Sequence, residues 1–135
     1  MKELRETLRR EYPNVQLHAS VFVNARTFAS KIGQDWEAWC QEGLLDVVSP
    51  MDYTFFPGEY VKLLAQQKEQ CQGVTMWPIF GPTLWPDDGH LEMRAAEVLR
   101  ETREAGLPGF GWFCFDDRTV RLIEALKQGP LSCEE

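Results

Sequence analysis

The chain has 135 residues, of which 44% are hydrophobic, 12% aromatic and 26% charged, and its net charge is -7. This length predicts a single domain, and the apolar content is sufficient for a packed core, which argues against a disordered chain. The acidic balance disfavours a nucleic-acid partner, because phosphate binding needs clustered Lys and Arg. No apolar run approaches the ~20 residues that a membrane-spanning helix requires.

The N-terminal segment 2–12 is typical of a charged helix and not of the apolar core of a signal peptide. If the chain is complete, we therefore expect a cytoplasmic protein. The two His residues are far apart and no cofactor-binding motif is present, so neither a metal site nor a cofactor is predicted. Free thiols are expected of the four widely spaced cysteines, which are Cys40, Cys71, Cys114 and Cys133.

Apolar strand segments and amphipathic helices alternate along the rest of the chain. The predicted strands cover residues 14–22, 44–53, 74–82 and 108–117. The predicted helices cover residues 35–43, 58–72, 91–106 and 118–128, with a polar loop after the first strand. This alternation predicts four βα units with parallel strands, an α/β fold. The whole chain, 1–135, is expected to be one domain, with residues 130–135 as a frayed tail.

The first two strands indicate which side chains face away from the helices. In the first strand, apolar residues alternate with Gln16, His18 and Ser20. The helix-covered face of a parallel sheet must be apolar, so this polar set is expected to face a barrel lumen or an open cleft. By the same alternation Ser49, Met51 and Tyr53 point the same way, with Asp52 at the rim.

Three stretches carry a resemblance to a known family. They are "ASVFVNAR" (19–26), "GQDWEAWCQEGLLDVVSPMDYT" (33–54) and "GLPGFGWFCFDD" (106–117). Together they resemble the second half of a glycoside-hydrolase-like TIM barrel, as in bacterial glycosyl-hydrolase-like proteins and, more distantly, chitinase-like glycosidases. The resemblance implies that the four βα units are the fifth to eighth of a (β/α)8 barrel and that the ligand is a carbohydrate.

The match to the chitinase-like pattern is partial. Met51 and Tyr53 match the Met-x-Tyr-Asp sequence that those enzymes carry on their sixth strand, but Thr54 stands where the family has Asp. The DxxDxDxE motif, which belongs on the fourth strand, has no counterpart in this chain. The resemblance therefore implies a domain that is incomplete as an enzyme on its own.

Glycoside hydrolysis needs two carboxyl groups, roughly 5–10 Å apart. The candidates at strand ends are Asp52 and Asp116, which we predict as catalytic residues. The neighbouring Asp117 is read instead as the N-cap of the last helix.

The predicted substrate-binding residues are aromatic or polar and lie at or near strand ends. Tyr53 and Trp112 would contact the sugar ring, and Asn24 and Arg26 would bind its hydroxyl groups from a loop. Trp77 and Trp112 have core packing as the alternative role, and His18 a structural hydrogen bond. Trp85 is expected on a loop outside the core. The full set is His18, Ser20, Asn24, Arg26, Tyr53, Trp77, Trp85 and Trp112.

Two alternatives remain open from the sequence. The sheet belongs either to a half barrel or to a small open α/β domain with helices on both faces. The function is either a carbohydrate-directed, glycosidase-like domain or a non-catalytic structural or sugar-binding half barrel. Half a barrel exposes two strand edges and its inner face, so the partner expected is a second copy or a missing N-terminal half barrel.

Overall fold

The computed structural model describes residues 1–129, so the predicted frayed tail at 130–135 lies outside the described residues. The helices are α1 (Lys2–Glu11), α2 (Ala25–Ile32), α3 (Trp36–Gln41), α4 (Pro57–Cys71), α5 (Leu91–Glu104) and α6 (Asp117–Leu126), with a 3-10 turn at Pro82–Leu84. The strands are β1 (His18–Phe22), β2 (Val47–Met51), β3 (Thr75–Met76), β4 (Ile79–Phe80) and β5 (Gly111–Trp112).

All strands run parallel, in the order β1-β2-β4-β5, and β3 also pairs with β2. The third predicted strand is divided into β3 and β4 around Pro78, because proline has no N–H to donate to a ladder. Strand order follows chain order, which differs from the reversed order of doubly wound sheets. The predicted parallel α/β fold is confirmed, whereas its membership of a half barrel stays a prediction.

The helices that build the core lie on one side of the sheet. Alternate strand residues, among them Val21, Val48 and Phe80, pack in one buried cluster with side chains of α3, α4, α5 and α6. Neighbouring helices also contact each other in chain order, α3 with α4, α4 with α5 and α5 with α6. The result is two layers, a parallel sheet and a layer of helices. Helices α3 to α6 leave the other face of the sheet uncovered, and α2 reaches that face at its edge, where Phe28 stacks on Phe22.

The register identifies the side chains on that second face. His18 pairs with Val47, Phe22 with Met51, and Met51 with Ile79, so these residues point to the same side. We call this side the open face; its side chains include His18, Ser20, Phe22, Ser49, Met51, Trp77, Ile79 and Phe113. The predicted orientation of His18, Ser20, Ser49 and Met51 away from the helices is confirmed.

The segment after β1 corrects the sequence-based description. A polar loop was expected there, but residues Ala25–Ile32 form α2, a helix of eight residues. Asn24 caps its first turn, since its side chain accepts a hydrogen bond from the Thr27 N–H at 3.0 Å. Gly33 ends it with φ of 70°, a left-handed conformation that glycine adopts without steric cost.

Candidate functional site

A groove of about 620 Å³ opens at the carboxyl ends of β1 and β2. Parallel strands direct their carboxyl ends to one edge of the sheet, which is where ligands bind in open α/β folds. The groove is lined by Phe22, Val23, Met51, Tyr53, Thr54, Glu59, Lys62, Leu63 and Gln66. Of the predicted site residues, Tyr53 is the one among these.

Two elements supply the walls of the groove. Phe22 and Met51 are register partners at the last positions of β1 and β2, so both side chains stand at the same edge. After Met51 the chain leaves the sheet and enters α4 at Pro57, a first-turn position that suits proline. The helix then contributes Glu59 and Lys62, together with Leu63 and Gln66, as the opposite wall.

The polar groups of the groove are few and mostly available. Thr54 Oγ1 donates to Glu59 Oε2 at 2.8 Å and accepts from the Phe56 N–H at 3.2 Å, which fixes the Glu59 carboxylate. The Lys62 ammonium and the Gln66 amide have no partner among residues 1–129. A ligand in the groove would therefore meet one held carboxylate and two unoccupied hydrogen-bonding groups.

Two aromatic rings border the groove. The Tyr53 ring packs against Phe113 with ring centroids 5.5 Å apart, and Phe22 stacks on Phe28 at 4.5 Å. Burial raises the pKa of the Tyr53 phenol, with a smaller effect of Cys114 in the same direction. The hydroxyl group is therefore protonated at neutral pH and can donate a hydrogen bond beside an apolar ring face.

Asp52 does not reach this groove. Its side chain is fully buried and accepts a hydrogen bond at 2.7 Å from Gln67 Nε2 of α4, which also donates to the Val23 carbonyl at 3.0 Å. Burial raises the pKa of the Asp52 carboxyl to about 7, although the Gln67 hydrogen bond lowers it. The expected position at an accessible rim is wrong, because the side chain lies between β2 and α4, so its burial does not support a role as the reacting carboxylate.

Asp116 caps the N-terminus of α6. Its Oδ1 accepts a hydrogen bond from the Thr119 N–H at 2.8 Å, so Asp116 is the N-cap and Asp117 is the first residue of the helix. The predicted cap at Asp117 is therefore one residue off. The backbone hydrogen bond from Thr119 lowers the pKa of the Asp116 carboxyl, which favours its ionised form and disfavours a role as a general acid.

Asn24 and Arg26 are engaged in local structure. Asn24 caps α2, and the Arg26 guanidinium pairs with the Glu37 carboxylate of α3 at 3.1 and 3.2 Å. Neither residue lines the groove. Both were predicted as sugar-binding groups of a polar loop, but in the structure Asn24 caps α2 and Arg26 joins α2 to α3.

Three other predicted binding residues gather on the open face, away from the groove. His18 Nε2 lies 2.6 Å from Ser49 Oγ, and the His18 ring meets the Trp77 ring edge-on at 5.6 Å. The Trp77 ring lies over Gly109, where a Cβ atom would be 3.1 Å from Trp77 Nε1. Ser20 is exposed on the same face. The structural hydrogen bond considered for His18 is present.

Trp85 and Trp112 lie on the helix side of the sheet. Trp85 is 2% exposed and stacks on Phe80 at 6.3 Å, so the expectation of a loop residue outside the core is wrong. Arg118 of α6 donates to the Trp85 carbonyl at 3.0 Å and holds this loop against the core. Trp112 packs on Phe80 at 5.4 Å, which corresponds to its alternative role as a packing residue.

The residues of α4 that line the groove were not predicted as site residues from the sequence. Glu59, Lys62, Leu63 and Gln66 follow the i, i+3, i+4, i+7 spacing of one helix face. The buried face of α4, which carries Tyr60 and Leu64, lies beside this row of residues. A second stripe of mixed polarity beside the buried one was the available signal, but solvated helix surfaces have the same appearance.

Comparison with family models, with curated proteins and with solved structures found no match to this chain. Within residues 1–129 there is no cluster of three or more His, Cys, Asp or Glu side chains that could hold a metal ion. Over the same residues, every helix is too short or too polar to cross a membrane. Function is therefore inferred from the groove and from the two faces of the sheet.

Proposed function

We propose that this chain is a carbohydrate-binding, glycoside-hydrolase-like domain that does not hydrolyse glycosides on its own. The observation that carries the proposal is the groove at the carboxyl ends of β1 and β2, with Phe22 and Tyr53 beside unpartnered Lys62 and Gln66. Ligand sites are typically apolar concavities with a few polar groups that fix orientation. A sugar ring matches this composition, since it presents an apolar C–H face and a rim of hydroxyl groups.

The carboxylates favour binding over hydrolysis. Glycosidases place two carboxyl groups on either side of the scissile bond. The groove lining contains Glu59 as its one carboxylate, whereas Asp52 is buried behind the sheet and Asp116 caps α6. A single carboxylate held by Thr54 can accept hydrogen bonds from sugar hydroxyls, but it provides no acid and base pair.

A glycosidase-like enzyme completed by a second half barrel is the second candidate. It is favoured by the order of the parallel strands, which follows chain order as in a closed βα barrel. In that assembly the missing acid would come from the other half, and the carboxyl ends of both sets of strands would meet at one mouth. Turnover of aryl glycosides by the assembly, lost in Glu59→Gln, would support this candidate.

The binding proposal is tested by titrating the purified full chain with a panel of oligosaccharides in a calorimeter. We expect saturable binding to at least one glycan, and Tyr53→Ala should weaken it roughly tenfold, since one aromatic contact contributes up to about 1.5 kcal/mol. Lys62→Met keeps the aliphatic stem and removes the ammonium, so it should weaken the same binding several-fold.

The matched control is Phe115→Ala. Phe115 is 83% exposed and does not line the groove, so its removal should leave the affinity unchanged. An absence of saturable binding across the panel would contradict the proposal. Equal losses in Tyr53→Ala and Phe115→Ala would place the ligand elsewhere and contradict it as well.

A further inference from the structure

The open face of the sheet combines apolar exposure with an absence of charge. Phe22, Trp77 and Phe113 are 41%, 37% and 45% exposed, although each is a large aromatic side chain. Across the described part of the chain, no strand position on this face is Asp, Glu, Lys or Arg. With a net charge of -7 on the whole chain, an uncharged surface of this kind is where two copies would repel each other least.

The topology indicates what kind of structure would cover this face. Parallel sheets occur almost only with both faces covered. Here helices α3 to α6 lie on one face, and β1, β2, β3/β4 and β5 give four strand positions in chain order. A closed βα barrel has helices outside only and eight strands around a packed centre. Four further parallel strands would therefore complete the arrangement, and a second copy has that number.

We propose that a second copy of this chain packs its open face against the open face of the first, forming a two-fold symmetric dimer. In such an isologous interface the β1 edge of each copy lies near the β5 edge of the other. His18 and Trp77 of both copies would then lie in the centre of the dimer. This proposal does not depend on carbohydrate binding, although Phe22 and Met51 belong both to the groove and to the open face.

The exposed area is compatible with a stable dimer. At about 200 Å² per aromatic side chain, Phe22, Trp77 and Phe113 together expose roughly 250 Å² per copy. Burying these rings in both copies would supply about half of the ~1,000 Å² total that a specific interface needs. Met51, Ile79 and the bare backbone at Gly111 are available on the same face for the remainder.

The β1 edge restricts how the two copies meet. The Phe22 N–H donates to Gln34 Oε1 at 2.6 Å, and the Phe22 carbonyl accepts from Trp36 Nε1 at 3.0 Å. Both backbone groups are therefore occupied within the chain, which protects this end of the edge strand. Pairing of strand edges is limited to the His18–Ser20 part of β1, so the contact comes mainly from the faces.

The dimer is tested by sedimentation and light scattering of the full chain over the micromolar range. We expect a concentration-dependent species of twice the 15.6 kDa monomer mass. Trp77→Glu places two like charges in the centre of the interface and should raise the dissociation constant ~100-fold or more. Ser20→Glu also places two like charges in the interface, at an exposed polar position that does not contribute to the core. It therefore tests the same interface if Trp77→Glu does not fold.

Met93→Glu is the matched control, because Met93 is 53% exposed on α5, in the helix layer. It adds the same charge and should leave the dimer intact. A monomer at every concentration would overturn the proposal. So would a dimer that survives both Trp77→Glu and Ser20→Glu, since its interface would lie elsewhere.

Discussion

Both faces of the sheet carry aromatic side chains, which are largely buried on the helix side and partly exposed on the open face. On the helix side, Phe80 is fully buried and stands at the centre of an aromatic cluster. Its ring neighbours, at centroid distances of 5.3 to 6.5 Å, are Tyr60, Trp85, Phe110 and Trp112. Each of these rings contacts Phe80, and Phe110 also packs against Trp112 at 6.0 Å, so removing Phe80 or a buried neighbour would leave a cavity in the core.

On the open face the aromatic side chains have fewer contacts and more solvent. Trp77 meets His18 edge-on, and Phe113 packs against Tyr53, yet both Trp77 and Phe113 remain more than a third exposed. Aromatic content therefore contributes to stability on one face and is available to a ligand or partner on the other.

Truncating a tryptophan should cost much more stability on the helix side than on the open face. Trp85→Ala removes a 2% exposed ring from the core and should lower the free energy of unfolding by about 3–5 kcal/mol. Trp77→Ala removes a ring that is 37% exposed, so the loss should be well below that of Trp85→Ala. Urea denaturation of both variants provides the measurement. Equal losses would mean that the open face is as closely packed as the core.

A buried carboxyl group on the helix side should give stability an unusual dependence on pH. The folded-state pKa of Asp52, raised by burial to about 7, lies above the ~3.9 of an unfolded Asp. The folded protein therefore binds the proton more tightly, and stability should fall as pH rises from ~4 to ~7, by up to roughly 4 kcal/mol. Asp52→Asn should remove this slope and exceed the wild type in stability at pH 8.

Two unpartnered acceptors, one of them an oxygen of this carboxyl, support the same direction of the pH dependence. Asp52 Oδ2 and Gln67 Oε1 are buried without a hydrogen bond among the described residues. A proton on Asp52 supplies the donor that this pair lacks. Asp116→Asn is the comparison, because the pKa of that carboxyl is lowered and its stabilising effect is lost as pH falls. A wild-type stability that rises between pH 4 and 7, with the Asp52→Asn curve parallel to it, would contradict the assignment.

The periodicity of the sequence was sufficient to predict most of the helices and strands and much of their orientation. Alternation in β1 separated His18 and Ser20 from Val21, and the structure puts them on opposite faces. Helix α2 was missed although its apolar residues Ala25, Phe28, Ala29 and Ile32 follow the i, i+3, i+4, i+7 spacing of one helix face. The stripe extends over two turns, and Ala25 is the residue of this helix that is buried. Local pattern indicates an element reliably when that element buries a whole face.

The environments of single side chains could not be predicted in the same way. Asp52 was expected at the rim of the site, but its side chain is buried beside Gln67, which reaches back from α4. Trp85 is a core residue because Arg118, 33 positions later, holds its loop in place. Such contacts join residues that are distant in sequence, and neither residue type alone indicates the partner.

The smallest predicted effect concerns two glycines. At Gly111 on the open face, a Cβ atom would lie 3.0 Å from Ile79 Cγ1, so Gly111→Ala should displace Ile79 and cost about 1 kcal/mol or more. At Gly58 in α4 a Cβ atom meets nothing within 4 Å, and Gly58→Ala should stabilise the helix by about 0.5–1 kcal/mol. Thermal unfolding of both variants measures the two changes. If Gly111→Ala were neutral, the open face would tolerate added volume at its β4–β5 pair, and Ile79 could not be counted as a fixed part of the proposed dimer surface.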